Sequence, residues 1–249
     1  MLSNLLFLLT TGDVQRLHVI GKESVERLNN IDPLIKVIIL ANLTICSFWQ
    51  IASGLDSLKQ IQIYRQLMYD HFTASYDGVF NRGLYHTLFT STFSHMDIHH
   101  LGFNMTALMS YSSVAKHLGP TKFLYLYLGG GVVSSLCQVM HKHISSSSSS
   151  RSVSSLGASG AISAIKAWFI FRIPNEVVDV VIYGRVVKMK NIEYGALLFF
   201  VDVIGMIANI SIPLTFDQLL LGAINPSTIG YAAHVGGAVY GAVLSYFKL

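Results

Sequence analysis

Near the middle of the chain, Gly157-Ala158-Ser159-Gly160 sets a serine among small neighbours at the mouth of an apolar stretch that runs to Phe171. A hydroxyl in an apolar helix commonly hydrogen-bonds back to its own backbone, so the serine alone proves little. To act as a nucleophile it needs a base within hydrogen-bond reach. It also needs donors where negative charge develops on a carbonyl oxygen. Three further polar residues interrupt apolar stretches. His100 and Asn104 form an i, i+4 pair on one helix face, and His234 sits within Ala233-His234-Val235-Gly236-Gly237. Together they describe acyl transfer. His234 would be the base for Ser159, and the Ser159 N–H, the Asn104 amide and the His100 ring would be donors to an oxyanion. Taken singly, Asn104 could bond a neighbouring helix and His100 could be a satisfied interior histidine.

The elements that must position these groups are membrane helices. A chain of 249 residues that is 52% hydrophobic and only 12% charged, with a mean hydropathy of +0.51, is too apolar for an ordinary soluble domain. Spanning a bilayer takes roughly 20 apolar residues per helix. Six stretches approach that length: Pro33 to Ser53, Ile98 to Ala115, Phe123 to Met140, Leu156 to Phe171, Tyr194 to Ile212, and Ser227 to Phe247. The expected organisation is an all-α membrane protein, with a soluble segment over 1–32 and a six-helix domain over 33–249. A long first loop runs from Gly54 to Asp97. In it Ile61, Tyr64, Leu67, Met68 and Phe72 recur at helical spacing, as in a segment lying in the membrane interface. The segment 141–155 holds six consecutive serines, Ser145 to Ser150, and reads as a variable linker. The start, Met1 to Thr11, is too short to span and matches neither a signal nor a transit peptide.

Basic residues set the orientation. Arg16, Lys22, Arg27, Lys116, Lys122, Arg172, Arg185, Lys188, Lys190 and Lys248 flank the helices on one side, against Lys59, Arg65, Arg82, Lys142 and Arg151 on the other. The positive-inside rule then puts both termini in the cytoplasm or the equivalent compartment of an organelle. The net charge of +4 belongs to these membrane flanks and calls for no nucleic-acid partner. With alternating helices, the second, fourth and sixth begin on one face. Ser159 then lies ~5 Å and His234 ~10 Å inside their helix starts, so their depths can match. Gly237 and Gly241 share a face with His234, and their GxxxG spacing lets another backbone approach. Gly157 and Gly160 would thin the fourth helix to receive it.

Other polar residues compete with this site for a chemical role. Lys166, seven residues after Ser159, is separated from it by about 10 Å of helical rise and reads as a snorkelling side chain. Asp202 lies near the middle of the fifth helix, where an ionised carboxylate is costly. It is expected to make a structural hydrogen bond, with a third-member role beside Ser159 and His234 left open. His95, His99 and His100 raise the idea of a metal site, but no second cluster of ligands accompanies them at matching depth.

The chain resembles the rhomboid intramembrane serine proteases. The resemblance is carried by Phe93-Ser94-His95, His100-Leu101-Gly102-Phe103-Asn104, the Gly157–Gly160 motif and Ala233-His234-Val235-Gly236-Gly237, in order from about Pro33 to Phe247. Ser91-Thr92-Phe93-Ser94-His95, Ser155-Leu156 ahead of the Gly157 motif, and Asp202 followed by Gly205-Met206 make it most similar to the mitochondrial, presenilin-associated rhomboid-like branch. The resemblance implies a compact six-helix fold and a Ser159/His234 dyad that cleaves transmembrane substrates within the bilayer. It implies an oxyanion hole from Asn104, His100 and the Ser159 amide, no metal or organic cofactor, and a place in the mitochondrial inner membrane. Two positions depart from the pattern. Where many rhomboids carry a Trp-Arg pair this chain has His86-Thr87, and where many bacterial members stack a tyrosine on the histidine it has Ser163. Two rivals stand beside the protease: a catalytically silent scaffold that binds transmembrane helices, and a histidine-lined metal transporter.

Overall fold

The computed structural model describes residues 30–57, 62–145, 154–182, 185–208 and 230–248. The expected soluble segment before Asn30, most of the serine tract and the ends of the fifth and sixth stretches at 209–212 and 227–229 lie outside them.

Helix α1 spans Pro33–Ser57. It starts at a proline, whose missing N–H costs nothing in a first turn. Helix α2, Gln62–Phe72, is the amphipathic segment of the first loop. Its buried Met68 packs with Trp49 and Ala52 of α1. The loop continues through the short helix α3, Thr87–Thr90, to α4, Ile98–Ser110. The Asp97 carboxylate caps α4 by accepting the His100 N–H at 2.8 Å.

Helix α4 ends five residues before the expected Ala115, and a new helix, α5, begins at Ser112 and runs to Ser145. Gly119, with φ +73° and ψ 166°, kinks α5, and Pro120 opens its second part. Only glycine adopts that backbone freely, and proline is preorganised for the helix that follows. The first five residues of the expected linker, His141 to Ser145, are therefore helical. Helix α6 spans Ser159–Arg172, α7 Asn191–Ala208 and α8 Tyr231–Tyr246.

Between α6 and α7 the all-helical expectation needs correcting. Val177–Ile182 and Arg185–Lys190 pair as an antiparallel hairpin, β1 and β2, with Val177 opposite Lys190. The run of valine and isoleucine favours a pleated strand, since β-branched side chains are stiff at χ1 and fit that surface. The chain is nonetheless mostly helical. Among the described residues, Pro33–Leu55, Ser112–Ser145 and Asn191–Ala208 are long and apolar enough to cross a membrane.

The core lies where α5, α6 and α8 meet α1 and α4, around Phe123, Leu126, Tyr127, Ile165 and Trp168. Helix α8 crosses α6 at backbone distance. A Cβ on Gly237 would collide with the carbonyl oxygen of Gly160, and one on Gly241 with that of Ala164. Backbone atoms cannot move aside as a side-chain tip can, so Gly241→Val is expected to cost at least about 1–3 kcal/mol. Thermal unfolding in detergent should show a clearly lowered midpoint. Gly102→Ala, whose Cβ would meet nothing within 4 Å, should not lower it. A Gly241→Val protein that melts with the wild type would contradict the close crossing.

Candidate active site

Helix α6 was expected to start at Leu156, yet Leu156-Gly157-Ala158 is not helical and Ser159 is the first residue of the helix. Irregular backbone inside a membrane domain is tolerated only where protein groups satisfy it. Here they do. Ser155 exchanges both backbone hydrogen bonds with Ala74, at 2.8 and 2.9 Å, and the Gly157 N–H donates to the Ser91 carbonyl at 2.9 Å. The Ala158 N–H points to Nε2 of His95 at 3.4 Å. Gly157 has φ +122°, which favours glycine, and a Cβ there would stand 2.9 Å from the His100 ring. Gly157 therefore shapes the turn before the helix and makes room for His100. The expected thinning of α6 falls to Gly160, packed against Ser134 and α8.

This turn leaves Ser159 half-buried at the N-terminus of α6, where the first N–H groups lack intrahelical partners. At 14 residues the helix is about 21 Å long. The basic hairpin beyond Arg172 is separated from Ser159 by that length.

His234 sits in the first turn of α8. Its N–H donates to the Gly230 carbonyl at 3.1 Å. The Ala233 N–H donates to Oε1 of Gln138, reaching across from α5, at 3.0 Å. That side chain caps α8 in place of a local residue and sets the height of His234. Nε2 of His234 lies 3.0 Å from Oγ of Ser159, and Nδ1 lies 3.0 Å from Oδ1 of Asp202. Only 17% of the His234 and 16% of the Asp202 side chain is exposed, so the contact is largely shielded from water. An Asp202 carboxylate accepts from Nδ1–H, which fixes the tautomer and leaves Nε2 with a lone pair for the Ser159 hydroxyl proton.

Asp202 makes the hydrogen bond expected of it. Its bond is to the candidate base itself. The Tyr231 ring stands edge-on to His234, centroids 6.4 Å apart. A Cβ on Gly205 would press into that ring at 2.7 Å. Ser163 offers the imidazole no ring; the contacts it makes instead are to the Asp202 carboxylate and, edge to face, to Tyr231. Gln138 and Tyr231 had no sequence signal beyond their polarity.

Asn104 is buried, and its Nδ2 donates to the His100 carbonyl at 3.1 Å and to Nε2 of His95 at 3.0 Å. The half-buried His100 ring packs edge-on to His95, with centroids 5.0 Å apart. In the sequence His95 stands out only within a family motif and as a candidate metal ligand. Its Nε2 is committed to Asn104 and Ala158. Among the described residues, no three His, Cys, Asp or Glu side chains converge to hold a metal. Lys166 lies two turns along α6, and the Ser159 hydroxyl is bonded to His234.

A serine, an imidazole and a carboxylate in series, beside a helix N-terminus, match the arrangement used for acyl transfer. The model of the Rhomboid domain matches residues 82–249, which include all of these groups. The chain belongs to the rhomboid family.

It is similar to several mitochondrial rhomboid proteins. It is 32% identical over 190 residues to RHOMBOID-like protein 12, mitochondrial, of Arabidopsis thaliana, covering 72% of this chain and 51% of that protein. It is 28% identical over 205 residues to presenilin-associated rhomboid-like protein, mitochondrial, of Homo sapiens, covering 82% and 45%. To Rhomboid protein 1, mitochondrial, of Saccharomyces cerevisiae it is 24% identical over 215 residues, covering 86% and 53%. The chain spans about half the length of these relatives. Within the rhomboids it falls in the presenilin-associated rhomboid-like branch and is a multi-pass mitochondrial membrane protein. Rhomboids are generally intramembrane serine proteases that act on transmembrane substrates in the bilayer.

Proposed function

We propose that this chain is an intramembrane serine endopeptidase of the mitochondrial inner membrane that cleaves transmembrane segments. Helices α1, α4, α5, α6, α7 and α8 would be its six spans. The observation that carries the reading is the Ser159–His234 contact at 3.0 Å, with Asp202 on the far nitrogen at the same distance.

The chemistry follows from the tautomer. Oγ of Ser159 attacks the scissile carbonyl carbon as its proton passes to Nε2 of His234, and the imidazolium formed is stabilised by Asp202. The carbonyl oxygen, now negative, is received by the Ser159 N–H, the Asn104 amide and the His100 ring. His234 returns the proton to the departing amine. Water then repeats the sequence against the acyl-enzyme, releasing the acid and restoring the hydroxyl. Every group is a side chain or an amide of this chain, so the proposed reaction uses no cofactor and no metal.

A fluorophosphonate probe tests the nucleophile without a known substrate, because it labels only serines activated by a base. Purified protein should be labelled at Ser159, and labelling should vanish on heating and in His234→Ala. Labelling that survives in Ser159→Ala would put the reactive hydroxyl elsewhere, and a wild type that takes up no label would favour the scaffold reading.

A further inference from the structure

His95 is fully buried, yet it belongs to none of the groups to which the reaction above assigns a role. We infer that His95 is a positioning residue, one acceptor nitrogen that ties the Asn104 amide to the Ala158–Ser159 turn and so sets the oxyanion hole. The inference rests on the protease reading.

Two donors from separate elements meet at Nε2 of His95. One is the side-chain amide of Asn104 in α4, at 3.0 Å. The other is the Ala158 N–H at 3.4 Å, one residue before the nucleophile. A nitrogen that accepts both must be unprotonated, so the ring carries its proton on Nδ1. Burial, with the nearby His100 ring adding to it, pushes the His95 pKa from 6.5 to about 3, and the acceptor persists at any working pH. The loop that carries the ring is held. The neighbouring Ser94 hydroxyl takes a hydrogen bond from Nε1 of Trp49 at 2.7 Å, which fastens the loop to α1.

The consequence is a fixed amide orientation. Only the NH2 end of Asn104 can face a lone pair, so His95 excludes the flipped amide, which would present its carbonyl oxygen. The second amide hydrogen points to the His100 carbonyl at 3.1 Å, an oxygen that already accepts the helical N–H of Asn104 in α4. This second bond is the expendable one. As charge develops on a substrate carbonyl, that hydrogen can turn to it while the His95 bond remains as the pivot.

The test compares kcat and KM on a fluorogenic transmembrane peptide, using the full chain in liposomes with thermal unfolding of each variant alongside. His95→Leu removes the acceptor and should lower kcat about tenfold to a hundredfold with KM nearly unchanged, since the hole acts on the transition state. His95→Gln can place an oxygen near the Nε2 position and should recover most of the loss. Because the tie to Asn104 at 3.0 Å is the closer of the two and the Ala158 contact at 3.4 Å the weaker, adding His95→Leu to Asn104→Ala should cost clearly less than the two single losses multiplied. Multiplying losses, or a folded His95→Leu protein with wild-type kcat, would overturn the inference. If His95→Leu does not fold, His95→Asn, which reaches only the Nδ1 position, carries the same expectation, and wild-type kcat in that variant overturns it equally. Ser159→Ala run in parallel separates the two levels. If it stays active the protease reading itself fails, and if it is dead while His95→Leu is unimpaired only the role of His95 does.

Discussion

Ser159→Ala is expected to reduce cleavage of a transmembrane substrate to background, a loss on the order of 10⁴- to 10⁶-fold in kcat. The variant removes one oxygen from a half-buried first-turn position whose backbone is fixed by other bonds. The Gly157 N–H to Ser91, the paired strand contact of Ser155 with Ala74 and the Ala158 N–H to His95 all remain. His234 keeps Asp202 on Nδ1 and the cap that Gln138 provides for α8. Folding should therefore be indistinguishable from wild type by circular dichroism and thermal midpoint. Any residual rate reports what the oxyanion donors achieve with water as nucleophile. Purified wild type and variant, assayed in the same liposomes, should differ as a working protease differs from an empty one. Equal rates would remove the enzyme assignment and favour a scaffold.

Much of this arrangement was legible in the sequence because its residues are of types that apolar helices rarely contain. A histidine followed by GxxxG points to a close crossing, and Gly237 and Gly241 do lie on the carbonyls of Gly160 and Ala164. The amphipathic spacing of the first loop anticipated α2, and the proline at 33 anticipated the start of α1. Hydropathy was less able to place helix ends inside protein. Leu156 and Ala158 are apolar whether helical or not, so nothing in their composition reveals that Gly157 holds a positive φ and that α6 begins at Ser159. The break between α4 and α5 at Tyr111 is hidden in the same way. The β1–β2 hairpin is signalled by its valine run, but Arg185, Lys188 and Lys190 read equally as a basic loop flanking the membrane.

Partners across helices were the larger blind spot. A pattern along one helix says which residues share a face, not which residue of another helix they meet. Gln138 reaching the first turn of α8 and His95 accepting from Ala158 link positions 95 and 63 residues apart, and no local spacing encodes either. Asp202 is the instructive case. Its cost inside an apolar helix was recognised, and a buried carboxylate must find a donor. The donor turned out to be the candidate base, 32 residues later.

That pairing makes Asp202→Asn the sharper mechanistic experiment, because it keeps size and shape while removing the charge. An asparagine can still touch Nδ1 of His234, but its NH2 can donate there and so favour the tautomer with the proton on Nε2, which cannot take the Ser159 proton. Even with its oxygen facing Nδ1, the amide would no longer stabilise the imidazolium that forms on attack. We expect kcat to fall roughly a thousandfold to ten-thousandfold, with KM little changed and the fold intact. The carboxylate sits on α7, where the smallness of Gly205 lets the Tyr231 ring lie close to the helix. The distance to His234 therefore depends on how α7 seats against α8. Asp202→Glu, which retains charge but adds a methylene, should fall between the two, since its oxygen must reach Nδ1 from a displaced position. If Asp202→Asn instead turns over within a few-fold of wild type, Ser159 and His234 act as a dyad. The edge of Tyr231 and the capped start of α8 would then be sufficient to orient the base.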